Sequence, residues 1–253
     1  MSNFETFHQQ TQPLLLANVW DAESAKLAKL AGYQAIGTSS AAIASVLGYE
    51  DGEKMPFEEL LFMVKRIVES CPLPLSVDIE SGYSNDSKKI VRHIQQLAEL
   101  GVVGVNIEDS KVEKTRRLAD KCAFSEVLKE ITDELKRRST SVFINVRCDA
   151  FLLNLTNARE EAVERAKLYE KAGAGGLFFP CVTAKADIAE LVKSTTLPIN
   201  VMAMPDLPDT NSLSLLGVKR ISMGNFAHIL VNQQLESTLK EIREQGSCDS
   251  LFA

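Results

Sequence analysis

Short apolar runs alternate along this chain with longer segments whose apolar positions recur at helical spacing. The runs predict strands at residues 14–17, 35–38, 73–77, 103–107, 142–146, 177–179, 198–201 and 220–223. Between them the longer segments predict helices at 22–31, 56–70, 86–100, 124–136, 158–172, 184–193 and 225–244, with a shorter one at 212–216 and a further start at Ser39 and Ser40. Local signals agree: Asp21 can cap the first of these helices, Gly32 stops it, and Pro56 opens the next. Within 86–100 the apolar stripe is Ile90, Ile94, Leu97 and Leu100, and His93 is expected on the opposite face.

Strand and helix alternate eight times in 253 residues with no linker rich in Pro, Gly or Ser. That favours one α/β domain over 1–253, a single (β/α)8 TIM barrel, over two Rossmann halves. No GxGxxG or P-loop sequence follows any strand, which removes the usual dinucleotide and nucleotide readings. Barrel active sites lie where the strands end, so Asn18, Thr38, Ser39, Ser40, Asp78, Glu80, Glu108 and Arg147 should converge on one mouth. The polar stretch SKVEKTRRLADK after the fourth strand is long enough for a mobile active-site lid, placed at 110–123.

The run LPLSVDIESGYSN ends a buried strand with two carboxylates, Asp78 and Glu80, which strand alternation would send to the same side. They read either as a capping or loop pair or as oxygen ligands for a hard divalent cation. Arg147 offers a planar fork for a carboxylate, or else an ion pair with Glu108. Asp51 reads as a solvated turn residue in a Gly-containing loop. His8, His93 and His228 are isolated and read as surface residues, Cys148 and Cys181 as packing, and Trp20 as a pocket wall or core residue.

A net charge of −6 and a pI near 5.3, without a basic block, argue against a nucleic-acid partner. Five dispersed cysteines without zinc or redox spacing suit reduced thiols and a cytoplasmic location. No signal-peptide pattern or membrane-spanning run is present.

The segments LANVWDAESAKLAKLAGYQAIGTSSAAIASVLGYEDGE, SVDIESGYS, GVNIEDS and NVRCDAF together resemble the phosphoenolpyruvate mutase and isocitrate lyase superfamily in order and spacing. The resemblance implies a (β/α)8 barrel that uses Mg²⁺, or Mn²⁺ in its place, to make or break C–C or P–C bonds beside a pyruvate-type enolate. It implies that Asp78 ligates the metal while Glu80, Glu108 and Asp51 hold its waters. Ser39, Ser40 and Ala41 would offer backbone N–H groups to the substrate carboxylate, Arg147 would bind substrate, and Trp20 would wall the pocket. Lys114, Thr115 and Arg116 match the lid of the mutases in part, with Arg116 in place of their Asn. Arg116 also stands where the lyases carry their Cys, and Pro180 where the mutases carry a His.

The reading is therefore a Mg²⁺-dependent lyase or decarboxylase acting on a small 2-oxo acid, or on a related dicarboxylate adduct. The alternatives are a phosphonopyruvate mutase or hydrolase, and a non-catalytic keto-acid-binding barrel. The resemblance also implies a homo-oligomer, dimer or tetramer; family members exchange a C-terminal helix, for which little sequence follows the pattern at 225–244 here.

Overall fold

The structure, a computed structural model, describes residues 3–112 and 114–252. Helix α1 (Asn3–Phe7) precedes β1 (Leu14–Val19), α2 (Ala22–Leu30), β2 (Ile36–Thr38), α3 (Ser40–Val46), α4 (Phe57–Ser70), β3 (Leu75–Asp78), α5 (Ser87–Glu99) and β4 (Gly104–Glu108). Next come two short strands, β5 (Ser110–Val112) and β6 (Arg116–Leu118), then α6 (Lys121–Arg137), β7 (Phe143–Arg147), α7 (Ala158–Lys171) and β8 (Gly176–Phe179). The chain ends with α8 (Lys185–Lys193), β9 (Ile199–Met202), α9 (Thr210–Leu216), β10 (Arg220–Ser222), α10 (Phe226–Gln245) and a single 3₁₀ turn, Asp249–Leu251. Eight strands pair in parallel and close into a barrel, β1-β2-β3-β4-β7-β8-β9-β10 and back to β1. This is the (β/α)8 TIM barrel expected from the alternation.

The helices form where the apolar spacing gives each one a buried stripe. On α4, Leu60, Val64 and Ile67 are fully buried against the barrel, each contributing about 1.5–3 kcal/mol. The α2 start is fixed by a capping box in which Ser24 N–H donates to Asp21 Oδ1 at 2.7 Å. Asp120 caps α6 from Cys122 N–H and Ala123 N–H, so that helix begins at Lys121 rather than at 124. At the N-terminal end of the barrel, Phe4 of α1 is 1% exposed and packs over Gly104. A Cβ on that glycine would come 3.0 Å from the Phe4 ring, so any larger residue there would push the ring aside by a few tenths of an ångström.

The expected lid is a β-hairpin, with Ser110 opposite Leu118 and Val112 opposite Arg116. Glu113, within the segment expected as the lid, lies outside the described residues. The three histidines are buried, not on the surface. His93 stacks on Phe57 at 3.8 Å and its Nδ1 lies 3.0 Å from Gly82 O. As i+3 from Ile90 and i−4 from Leu97, it shares their face. His8 stacks on Phe143 at 4.4 Å, and His228 meets Trp20 edge-on at 4.9 Å. Among the described residues no helix is long and apolar enough to cross a membrane.

Candidate active site

Strand β3 delivers Asp78 to the barrel mouth, and there the strand geometry ends. Glu80 has φ 48° and Gly82 φ 106°, so a left-handed turn, not strand alternation, brings the two carboxylates together. Ser40 Oγ donates to Asp78 Oδ2 at 2.9 Å, Asp78 N–H donates to Thr38 Oγ1 at 2.8 Å, and Glu80 N–H approaches Asp78 Oδ1 at 3.4 Å. Glu80 is 3% exposed. Tyr83 OH donates to its Oε1 at 3.2 Å, while its Oε2 has no partner. Burial, followed by Asp78, Asp51, Glu108 and Glu53, pushes the Glu80 carboxyl up to about 8.

Beside this pair lies a knot of two arginines and three acids. Arg147 grips Asp149 through Nε at 2.6 Å and Nη2 at 3.2 Å, and its Nη1 lies 2.9 Å from Glu108 Oε2 without the alignment of a hydrogen bond. Arg116 reaches in from the hairpin and donates to Glu108 Oε1, to Ser110 Oγ at 2.9 Å, to Asp149 Oδ2 at 3.1 Å and to Asp51 Oδ2 at 3.4 Å. Ser110 Oγ is 2.5 Å from Asp149 Oδ2. Burial pushes Glu108 up to about 7 although Arg147 pulls it back. Burial also raises Asp78, against Arg147 and the Ser40 hydroxyl. Burial opposes the Arg147 charge, but Glu108, Asp149 and Asp78 more than offset it and raise its pKa.

A cavity of about 440 Å³ opens over these groups, within the range of small-molecule sites. Of the residues singled out from the sequence, Asn18, Thr38, Ser39, Ser40, Ala41, Asp51, Asp78, Arg116 and Arg147 line it. Glu80 and Glu108 are buried behind it. Trp20 packs against His228 and is not part of the lining, and Lys114 and Thr115 are exposed on the hairpin turn. The Ser39 backbone is also corrected. Its N–H already donates to Val19 O at 3.0 Å and its Oγ accepts from Ala42 N–H, so only Ser40 and Ala41 keep free N–H groups at the start of α3. The far wall of the cavity is apolar, with Leu152, Leu153, Phe178, Pro180 and Met202.

Asp149 did not stand out in the sequence, because an acid two residues after Arg147 looks like a loop residue. It is fully buried and joins both arginines to the hairpin. Among the described residues no three His, Cys, Asp or Glu side chains converge closely enough to hold an ion by themselves. The donor set still suits a hard cation held mainly through water: all its donors are oxygens, Glu80 Oε2 is buried without a partner, and the carboxylates raise one another's pKa.

The sequence profile of phosphoenolpyruvate phosphomutase matches residues 4–243. The chain belongs to this family. A relative in Mycobacterium tuberculosis, an uncharacterized protein, is 33% identical over 225 residues, covering 88% of this chain and 82% of its own. An oxaloacetate decarboxylase of Rhodopseudomonas palustris is 30% identical over 234 residues, covering 88% and 78%. Among solved structures, a provisionally assigned phosphonomutase from Burkholderia cenocepacia superposes with a TM-score of 0.87 at 33% identity, covering 94% of this chain and 97% of that one. The chain is thus an enzyme of the phosphoenolpyruvate phosphomutase family, and the proteins it resembles are lyases, decarboxylases and mutases.

Proposed function

We propose that this enzyme cleaves a C–C bond next to the keto group of a small dicarboxylic 2-oxo acid or its adduct, as a divalent-metal-dependent decarboxylase or lyase. The observation that carries this reading is the polar wall of the cavity. There the Arg147 and Arg116 guanidiniums and the free N–H groups of α3 face the same space, an arrangement suited to a substrate with two anionic groups. The similarity to an oxaloacetate decarboxylase agrees with it. Asp78 would hold the cation, with Glu80, Glu108 and Asp51 holding its waters; when bound, Mg²⁺ supplies Lewis-acid stabilisation of negative charge on a keto oxygen.

The chain's own groups bind and orient the substrate. Ser40 N–H and Ala41 N–H take one carboxylate. Arg147, locked by Asp149, takes an anionic oxygen without needing to reorganise. In decarboxylation the C–C bond to the departing carboxylate breaks, its electron pair passes to the enolate, and solvent protonates the carbon. Among the described residues no Cys or His side chain lines the cavity to act as a dedicated acid, which favours this chemistry over a lyase-type protonation by thiol. The hairpin acts as the lid, since Arg116 ties it to Glu108, Asp149 and Asp51 across the mouth.

The test is product detection by mass spectrometry with oxaloacetate, phosphonopyruvate and 2-methylisocitrate, each with Mg²⁺ and with EDTA. Pyruvate from oxaloacetate, lost in EDTA, is the expected result; turnover of phosphonopyruvate alone sinks the reading. A homo-oligomer is also proposed. On α10 only His228 is buried, while Leu230, Leu235 and Leu239 are more than half exposed along a twenty-residue helix. A species that is purely monomeric by light scattering at micromolar concentration contradicts this.

A further inference from the structure

Beneath the mouth the barrel interior is polar where a packed apolar core is the norm. Arg220 of β10 is 1% exposed, and its Nε and Nη1 have no partner. Among the described residues its one side-chain hydrogen bond runs from Nη2 to Asn106 Oδ1 at 3.4 Å. Asn145 Nδ2 donates to the same oxygen at 2.8 Å. Two asparagines facing each other can exchange donor and acceptor, but an arginine has no acceptor. Arg220 therefore removes the ambiguity, and Asn106 must turn its oxygen inward.

The consequence falls on the other end of the amide. Asn106 is 8% exposed, lines the floor of the active-site cavity and lies in register with Asp78 on the adjacent strand. Among the described residues its Nδ2 meets no acceptor, and as a cavity-lining atom it is open to whatever occupies the site, where a ligand oxygen can accept from it. We infer that Asn106 is a substrate-binding residue, whose amide N–H₂, oriented by Arg220 and Asn145, donates to an anionic oxygen of the substrate at the cavity floor.

Charge supports the geometry. Burial pushes Arg220 down to about 10, so it remains a cation at neutral pH, and the one acid that acts on it is Asp78. A positive charge behind the amide favours an anion in front of it. The inference rests on the keto-acid reading of the cavity and adds to it a donor on β4, beside Asp78.

The experiment is calorimetric titration of oxalate, a planar dianion shaped like a pyruvate enolate, into the full chain with Mg²⁺ present. Wild type, Asn106→Asp and Asn106→Ala are compared, with melting temperatures alongside. Asn106→Asp is expected to weaken oxalate at least about 30-fold, and Asn106→Ala about tenfold. Asn106→Asp should melt no lower than wild type, because Arg220 gains a counter-charge. Wild-type binding with both variants within about twofold of it overturns this inference and leaves the keto-acid reading standing. A wild type that binds no oxalate overturns that reading and the inference with it. Should Asn106→Asp not fold, the Asn106 side-chain amide NMR resonance, identified by its absence in Asn106→Ala, is expected to shift on oxalate addition; an unmoved resonance overturns the inference.

Discussion

Glu108 and Asp109 are neighbours in the chain and both are buried, yet they meet opposite surroundings. Asp109 is closed off. Its Oδ2 accepts from Arg165 Nη1 at 3.0 Å and Tyr169 OH at 2.7 Å, and its Oδ1 from Asp149 N–H at 3.0 Å. Arg165 also donates to Ala119 O at 2.8 Å, so this network anchors the outgoing end of the hairpin. Glu108 faces the other way, toward Arg147, Arg116 and the carboxylates of the mouth. A saturated acid holds structure, whereas a crowded acid with an unaligned oxygen is arranged for something that is not part of the chain.

The comparison breaks first on the structural side. Arg165→Met leaves Asp109 buried and uncompensated and should lower stability by about 3–5 kcal/mol in urea denaturation. A loss under about 1 kcal/mol would show that the network is not what holds the hairpin base. On the functional side, Asp78→Ala should cut turnover by about 10³-fold with the fold retained by circular dichroism; turnover within about tenfold of wild type contradicts the proposed site.

Two smaller effects sharpen the difference. Mg²⁺ at about 100 times its dissociation constant should raise stability by about 2.7 kcal/mol in thermal unfolding, an effect absent in Asp78→Ala. Without metal, the Glu80 carboxyl is held at about 8 against an ordinary 4.5, so the folded chain keeps a proton that the unfolded chain releases across that window. Stability should therefore fall as pH rises from about 4.5 to about 8 and level off above it. Glu80→Gln should flatten that slope and raise metal-free stability at pH 8 by about 2 kcal/mol while abolishing turnover. A stability–pH profile indistinguishable from wild type rules out Glu80 as the source.

Much of this was legible in the chain. The barrel follows from eight apolar runs separated by helical patterns, and Asp78, Glu108 and Arg147 from the rule that strand ends carry chemistry. The hairpin was not legible, because SKVEKTRR lacks the apolar alternation of a strand and is held by Arg116 reaching acids far away in sequence. His93 was misplaced by following one stripe of α5 too narrowly, whereas the buried face also includes Val91 and His93. Asn106, Asn145, Asn200 and Arg220 were passed over as residues inside strands. A polar side chain in the middle of GVNIE, FINV or INVM was the available signal, since both faces of a parallel strand are covered.

The Phe4 plug has a consequence for traffic. With Phe4 of α1 seated against Gly104 and Phe143, the bottom of the barrel is packed among the described residues, and the cavity opens at the mouth. A cleavage that makes two products must then release them through the same doorway the substrate used. In the proposed decarboxylation CO₂, a small neutral fragment, would slip past the hairpin, while the anionic fragment would wait for Arg116 to let go. Departure in that order would make hairpin opening, not bond breaking, the step that sets the pace.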